Sequence, residues 1–172
     1  MELLNITSRF TSEPATAQAI LMKDWDAVLV LADLIAEDID AQPLAAIIRA
    51  WTLVAKGQGP AGLSHLIQSS NTNISGKKSA PAIFTIQAAR MADYLGDAGE
   101  TLKLADQLFE RNDLSSQLLL QLASLYARHN KNIRLEQLIA QLPNGFNKTK
   151  IRKVLSHQKT SPKIAHHIAA GI

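Results

Sequence analysis

The stretch QLLLQLASLYARHNKN, residues 117–132, sets large apolar residues at Leu119, Leu122 and Tyr126 around a small one, Ala123, and then turns polar. Spacings of three and four put these residues on one helical face. A small residue between large ones predicts close approach by a second helix, with the large ones filling the groove beside it. The pattern recurs along the chain. Polar, turn-like breaks fall at Lys23-Asp24, Gly57-Gln58, Gly96-Asp97 and Asn130-Lys131, at intervals of 34, 39 and 34 residues. The wider interval holds SSNTNISGKKSAP, residues 69–81, which reads as a long surface loop. Such insertions are tolerated because loop-closure entropy grows slowly with length.

Each break joins two amphipathic segments. In the last pair, Leu119, Leu122, Ala123 and Tyr126 are followed by Leu135 and Ile139. The pair before it gives Thr85, Ala88, Ala89 and Ala92, then Thr101 and Ala105. Ala46, Arg49, Ala50 and Leu53, then Gly62 and Leu66, form the second; Ser12, Ala15, Thr16 and Ala19, then Val28 and Ala32, form the first. The segment KDWDAVLVLADLIAEDID carries a broad apolar face of Trp25, Val28, Leu29, Leu31, Ala32 and Ile35, with Asp24 favourably near its start. The expectation is an all-α fold built from helical hairpins that bury their apolar faces on one another.

The spacing and the large–large–small–large signature resemble the tetratricopeptide repeat, two antiparallel helices in 34 residues. The resemblance covers roughly residues 12–143. Arg49 departs from it, standing where an apolar residue is usual, as does Leu135, where a small one is. What the resemblance implies is an α-solenoid of about four units over residues 1–145, with basic capping helices over residues 146–172. It further implies a concave groove lined by the first helices of successive units. The groove residues would be Trp51 and Val54, then Ile86, Arg90 and Tyr94, then Leu120, Ser124 and Arg128. Such a wall suits an acidic or amphipathic peptide or helix of a protein partner.

Composition agrees with helix-on-helix packing: 47% of residues are hydrophobic and only 5% aromatic. With no cysteine, disulfides and thiolate metal sites are excluded. No basic start with a long apolar run opens the chain, and no apolar run reaches membrane-spanning length, so a cytoplasmic location is expected. Charge is uneven. Residues 1–145 carry 12 Lys and Arg against 15 Asp and Glu, whereas residues 146–172 carry six bases and no acid. Lys148, Lys150, Arg152 and Lys153 head this basic tail, which favours an acidic partner, with nucleic acid a weaker alternative because no aromatic residue is interleaved among the bases.

No phosphate-binding glycine loop or zinc-binding His-Glu-x-x-His motif is present, and adjacent His166 and His167 face different sides of a helix. Arg152 and His157 have the R-x4-H spacing that resembles HEPN-type ribonucleases, with Arg152 steadying a phosphate and His157 moving a proton. Any basic helix can contain that spacing. The reading is therefore a non-enzymatic interaction module needing no metal or cofactor. The alternatives are a helical regulatory or oligomeric subunit of a larger enzyme or secretion complex, and the ribonuclease. After Asn144-Gly145, KTKIRKVLSHQ and SPKIAHHIAAG read as two terminal helices, the second capped by Ser161 with Pro162 at its first position.

Overall fold

A computed structural model describes residues 14–71 and 82–157. Among these residues all regular secondary structure is helical, and no strand occurs. They fall into two compact units, residues 14–71 and 82–157. In the first, α1 (Pro14–Leu21) packs on α2 (Trp25–Ile35), α2 on α3 (Gln42–Ala55) and α3 on α4 (Gly59–Asn71), with a short 3-10 turn at Ile39–Ala41. In the second, α5 (Ala82–Tyr94) packs on α6 (Ala98–Phe109), and α7 (Ser116–Arg128) lies against both. There α8 (Asn132–Gln141) and α9 (Lys148–Ser156) each pack on α7.

The four breaks expected from sequence are built alike. Lys23, Gly57, Gly96 and Asn130 each adopt a left-handed backbone, with φ of 56°, 81°, 82° and 55°. At each, the following N–H donates to a carbonyl five residues back: Asp24 to Ala19, Gln58 to Leu53, Asp97 to Ala92 and Lys131 to Tyr126. The left-handed residue itself donates three residues back, to Ile20, Val54, Asp93 and Ala127 respectively. This pair of bonds is the Schellman closure, which satisfies two orphan carbonyls at a helix end. Asp24 and Asp97 also open the next helix, their carboxylates accepting from the N–H of Ala27 and Glu100. One short sequence thus ends one helix and starts another.

Packing follows the small-residue positions. Ala50, Ala89 and Ala123 are all buried, as are Leu119, Leu122 and Tyr126 around the last of them. Val28, Leu66, Thr101, Ala105 and Ile139 are buried on the second helices. At Gly62 the two helices leave no room for a side chain: an added Cβ would meet the Ala50 backbone carbonyl. Arg49 holds its unusual position by pairing with Asp33, its Nε donating at 3.0 Å, which ties α3 to α2.

One boundary differs from expectation. Ser69, Ser70 and Asn71 read as part of the polar loop in sequence, yet they complete α4. The Ser69 and Ser70 hydroxyls donate to the carbonyls of His65 and Ile67, so their polar groups are satisfied within the helix itself. The remainder of that expected loop, Ser12 of the first hairpin, and the expected helix after Ser161 lie outside the described residues.

Candidate functional site

The chemistry-bearing side chains of the second unit converge where α5 meets α7. Positions i, i+3 and i+4 of α5 are Arg90, Asp93 and Tyr94; positions i, i+3 and i+7 of α7 are Gln121, Ser124 and Arg128. Helical periodicity puts each set on one face. His129 caps the C-terminal end of α7 and joins the group.

The Asp93 carboxylate is the hub. Its Oδ2 accepts from Arg128 Nε at 2.8 Å, with Arg128 Nη2 at 2.7 Å. Its Oδ1 lies 2.8 Å from His129 Nε2. Arg128 Nη1 donates to Ser124 Oγ at 2.7 Å. Both Asp93 and Arg128 side chains are only 7% exposed. Burying such a pair costs several kcal/mol of hydration per ion, about what good geometry and extra hydrogen bonds return. Here the hydrogen bonds to Ser124 and His129 supply part of that return.

Arg90 adds a second guanidinium. Its Nη1 lies 3.4 Å from Gln121 Oε1, and the residue is buried. Burial first, and then the positive charge of Arg128, bring its pKa down to about 10. Arg90 stays charged at neutral pH, but it does so in a place that disfavours cations. The cluster thus brings two guanidiniums, one carboxylate and one imidazole together between the two helices.

Six of the expected groove residues lie on these two helices, Ile86, Arg90 and Tyr94 on α5 and Leu120, Ser124 and Arg128 on α7, and Arg90, Ser124 and Arg128 belong to the cluster. Tyr94 is exposed beside it in sequence, and Leu120 is half-buried. The apolar members differ. Trp51 and Ile86 have no exposed surface, and Val54 is 8% exposed. These three are core side chains in this structure, because an apolar residue on a helix face gains more from packing than from water. Asp93 and His129 were not anticipated. Their one cue was an acid three residues after Arg90 and a titratable residue following Arg128.

The basic residues of α9 are partly engaged. Arg152 is held by Glu136 on α8, with Nη2 and Oε2 2.7 Å apart, and Lys148 Nζ donates to the Ala140 carbonyl. Lys150 and Lys153 are exposed. His157 Nδ1 lies 2.7 Å from the Lys153 carbonyl of its own helix. The R-x4-H pair is thus drawn to separate partners rather than to one point.

Among the described residues, no three His, Asp or Glu side chains converge as metal ligands. No helix among them is long and apolar enough to cross a membrane. Comparison of the chain with protein-family models, with curated proteins and with solved structures returns no significant match.

Proposed function

We propose that this chain is a non-catalytic protein-interaction module whose helical hairpins stack in the manner of tetratricopeptide repeats. Its receptor face is formed by α5 and α7, and it takes an acidic or amphipathic segment of a protein partner. The observation that carries this reading is the placing of Arg90 and Arg128 on neighbouring helices, near enough that the charge of Arg128 lowers the pKa of Arg90, with both side chains largely withdrawn from water. An acidic side chain arriving there replaces lost hydration with charge-assisted hydrogen bonds. Tyr94 beside Arg90 supplies an amphipathic ring of the kind that anchors interfaces. The stacking is supported by four identical turn closures at repeat spacing. Lys150 and Lys153, exposed on α9, add long-range attraction that salt screens within about 10 Å at 0.1 M.

A fluorescein-labelled helical peptide with Glu and Leu on opposite faces tests this by anisotropy. Wild type should bind it, and Arg90→Ala with Tyr94→Ala should weaken binding at low and high salt alike. Lys150→Gln with Lys153→Gln should weaken it at low salt only. Binding that ignores the first pair and depends wholly on the second would place the partner on α9 instead.

A further inference from the structure

We infer that the outer face of α2 in one copy of this chain docks on the outer face of α9 in a second copy, head to tail. The inference does not depend on the face formed by α5 and α7. Helix α2 buries Val28 and Ala32, whereas Val30 and Leu34 are 60% and 57% exposed. Lying one turn apart, these two form a short apolar lane open to solvent. A lane of acids runs beside it: Asp26 and Asp33 on the helix and Glu37 in the turn that follows, all exposed. Helical rise separates them by about 10 and 6 Å along the axis. Asp26 and Asp33 meet Lys56 and Arg49 of α3 through Oδ1 alone, so each keeps Oδ2 for another donor. Glu37 pairs with no base among the described residues.

Helix α9 carries the counterpart. It buries Leu155 and leaves Val154 50% exposed beside exposed Lys150 and Lys153, with no acid on the helix. Arg152 and Lys148 are held by Glu136 and the Ala140 carbonyl, but Lys150 and Lys153 pair with no acid among the described residues. Lys150 also stands in the first turn, where the helix dipole disfavours a cation. Nothing within the helix offsets that cost, and an acid from outside would. Charge decides which faces meet. Packing α2 on α2 sets acids against acids, and α9 on α9 sets bases against bases. Only α2 on α9 joins acids to bases while covering Val30, Leu34 and Val154. Such a contact is heterologous, each copy offering one face and using the other. With so few side chains on each side it is small, so association is weak and dominated by charge.

Sedimentation equilibrium of the full chain tests this. For wild type the weight-average mass should rise with protein concentration at about 0.05 M salt and return to that of one chain at about 0.5 M. Two variants then disable one face each. Val30→Gln, Leu34→Gln and Glu37→Gln together remove the α2 face, and Lys150→Glu with Lys153→Glu reverses the α9 face. All five positions are exposed, and thermal melts check that both variants fold. Each variant alone should remain a single chain at low salt. Mixed in equal amounts they should form a complex of two chains that grows no further, because only one intact α2 face and one intact α9 face remain per pair. Wild type that stays a single chain at every concentration would overturn the inference. So would association by either variant alone, which would mean that one face pairs with itself or that another surface is used. A mixture that fails to pair, or wild-type association indifferent to salt, would overturn it as well.

Discussion

A Cβ built on Gly62 would stand 2.5 Å from the carbonyl oxygen of Ala50. It would also lie 3.0 Å from a methyl of Val54. The first contact is with backbone inside α3, which cannot swing aside. Gly62→Ala therefore sets two effects against each other. Alanine gains about 1 kcal/mol of helix propensity over glycine. Overpacking of a helix pair costs about 1–3 kcal/mol. A Cβ-to-oxygen distance this short lies at the severe end, so the net effect is destabilising. Urea unfolding should show a lower midpoint for Gly62→Ala; an unchanged or higher midpoint would mean that α3 and α4 do not approach this closely.

The turns invite the opposite experiment. Lys23 and Asn130 hold the left-handed conformation at a steric cost of about 1–2 kcal/mol, less for asparagine. Lys23→Gly should raise stability, and Asn130→Gly should raise it by less. Gly57→Ala and Gly96→Ala should lower it by about 1 kcal/mol. At both glycines a Cβ meets nothing within 4 Å, so that loss is purely conformational. Thermal melts of the four variants should fall on either side of wild type. A stabilising alanine at 57 or 96 would contradict the closure described here.

These turns were legible in the sequence because they are local. A helix ends in a left-handed residue and restarts at a polar one, Asp24, Gln58, Asp97 or Lys131, and that chemistry is complete within six residues. The buried positions were legible too, since Ala50, Ala89 and Ala123 repeat in register with the turns. The side-chain cluster between α5 and α7 was legible only in part. Spacing put Arg90, Ser124 and Arg128 on facing helices. It could not say that Trp51 and Ile86 are core residues, because the same helical period describes an apolar side chain that packs inward and one that waits for a partner. The roles of Asp93 and His129 depend on contacts across 35 and 36 residues of chain, which no local rule contains.

Ala123 tests the register of the last hairpin. It is 1% exposed on α7, among Leu119, Leu122 and Tyr126. Tyr126 is itself fixed, donating to Asp106 at 2.6 Å and packing in a T-shape with Phe109, their ring centroids 6.3 Å apart. A leucine at 123 has no space to enter without moving these neighbours, at a cost of about 1–3 kcal/mol. Ala127, four residues on, is half-exposed, and Ala127→Leu should cost less. Equal melting temperatures for the two variants would mean that α7 is turned differently about its axis.

His65 gives the first unit a pH dependence with a defined sign. It lies on α4, half-buried, and its Nε2 is buried without a hydrogen-bond partner. Burial, and then the charge of Arg49, hold its pKa below the usual 6.5. The unfolded chain lacks both effects and takes up the proton near 6.5. As pH falls below that value, the unfolded state binds protons that the folded state refuses. Stability from this residue is thus fully present above about 6.5 and is lost as pH falls through the lower, folded value. Urea midpoints measured from pH 7.5 to 5 should drop more steeply for wild type than for His65→Leu. Because His129 and His157 remain in both proteins, the difference between the two curves isolates His65. Arg49→Met removes one of the two causes, so its acid loss should lie between wild type and His65→Leu. Parallel wild-type and His65→Leu curves would show that this imidazole charges as freely in the folded protein as in water.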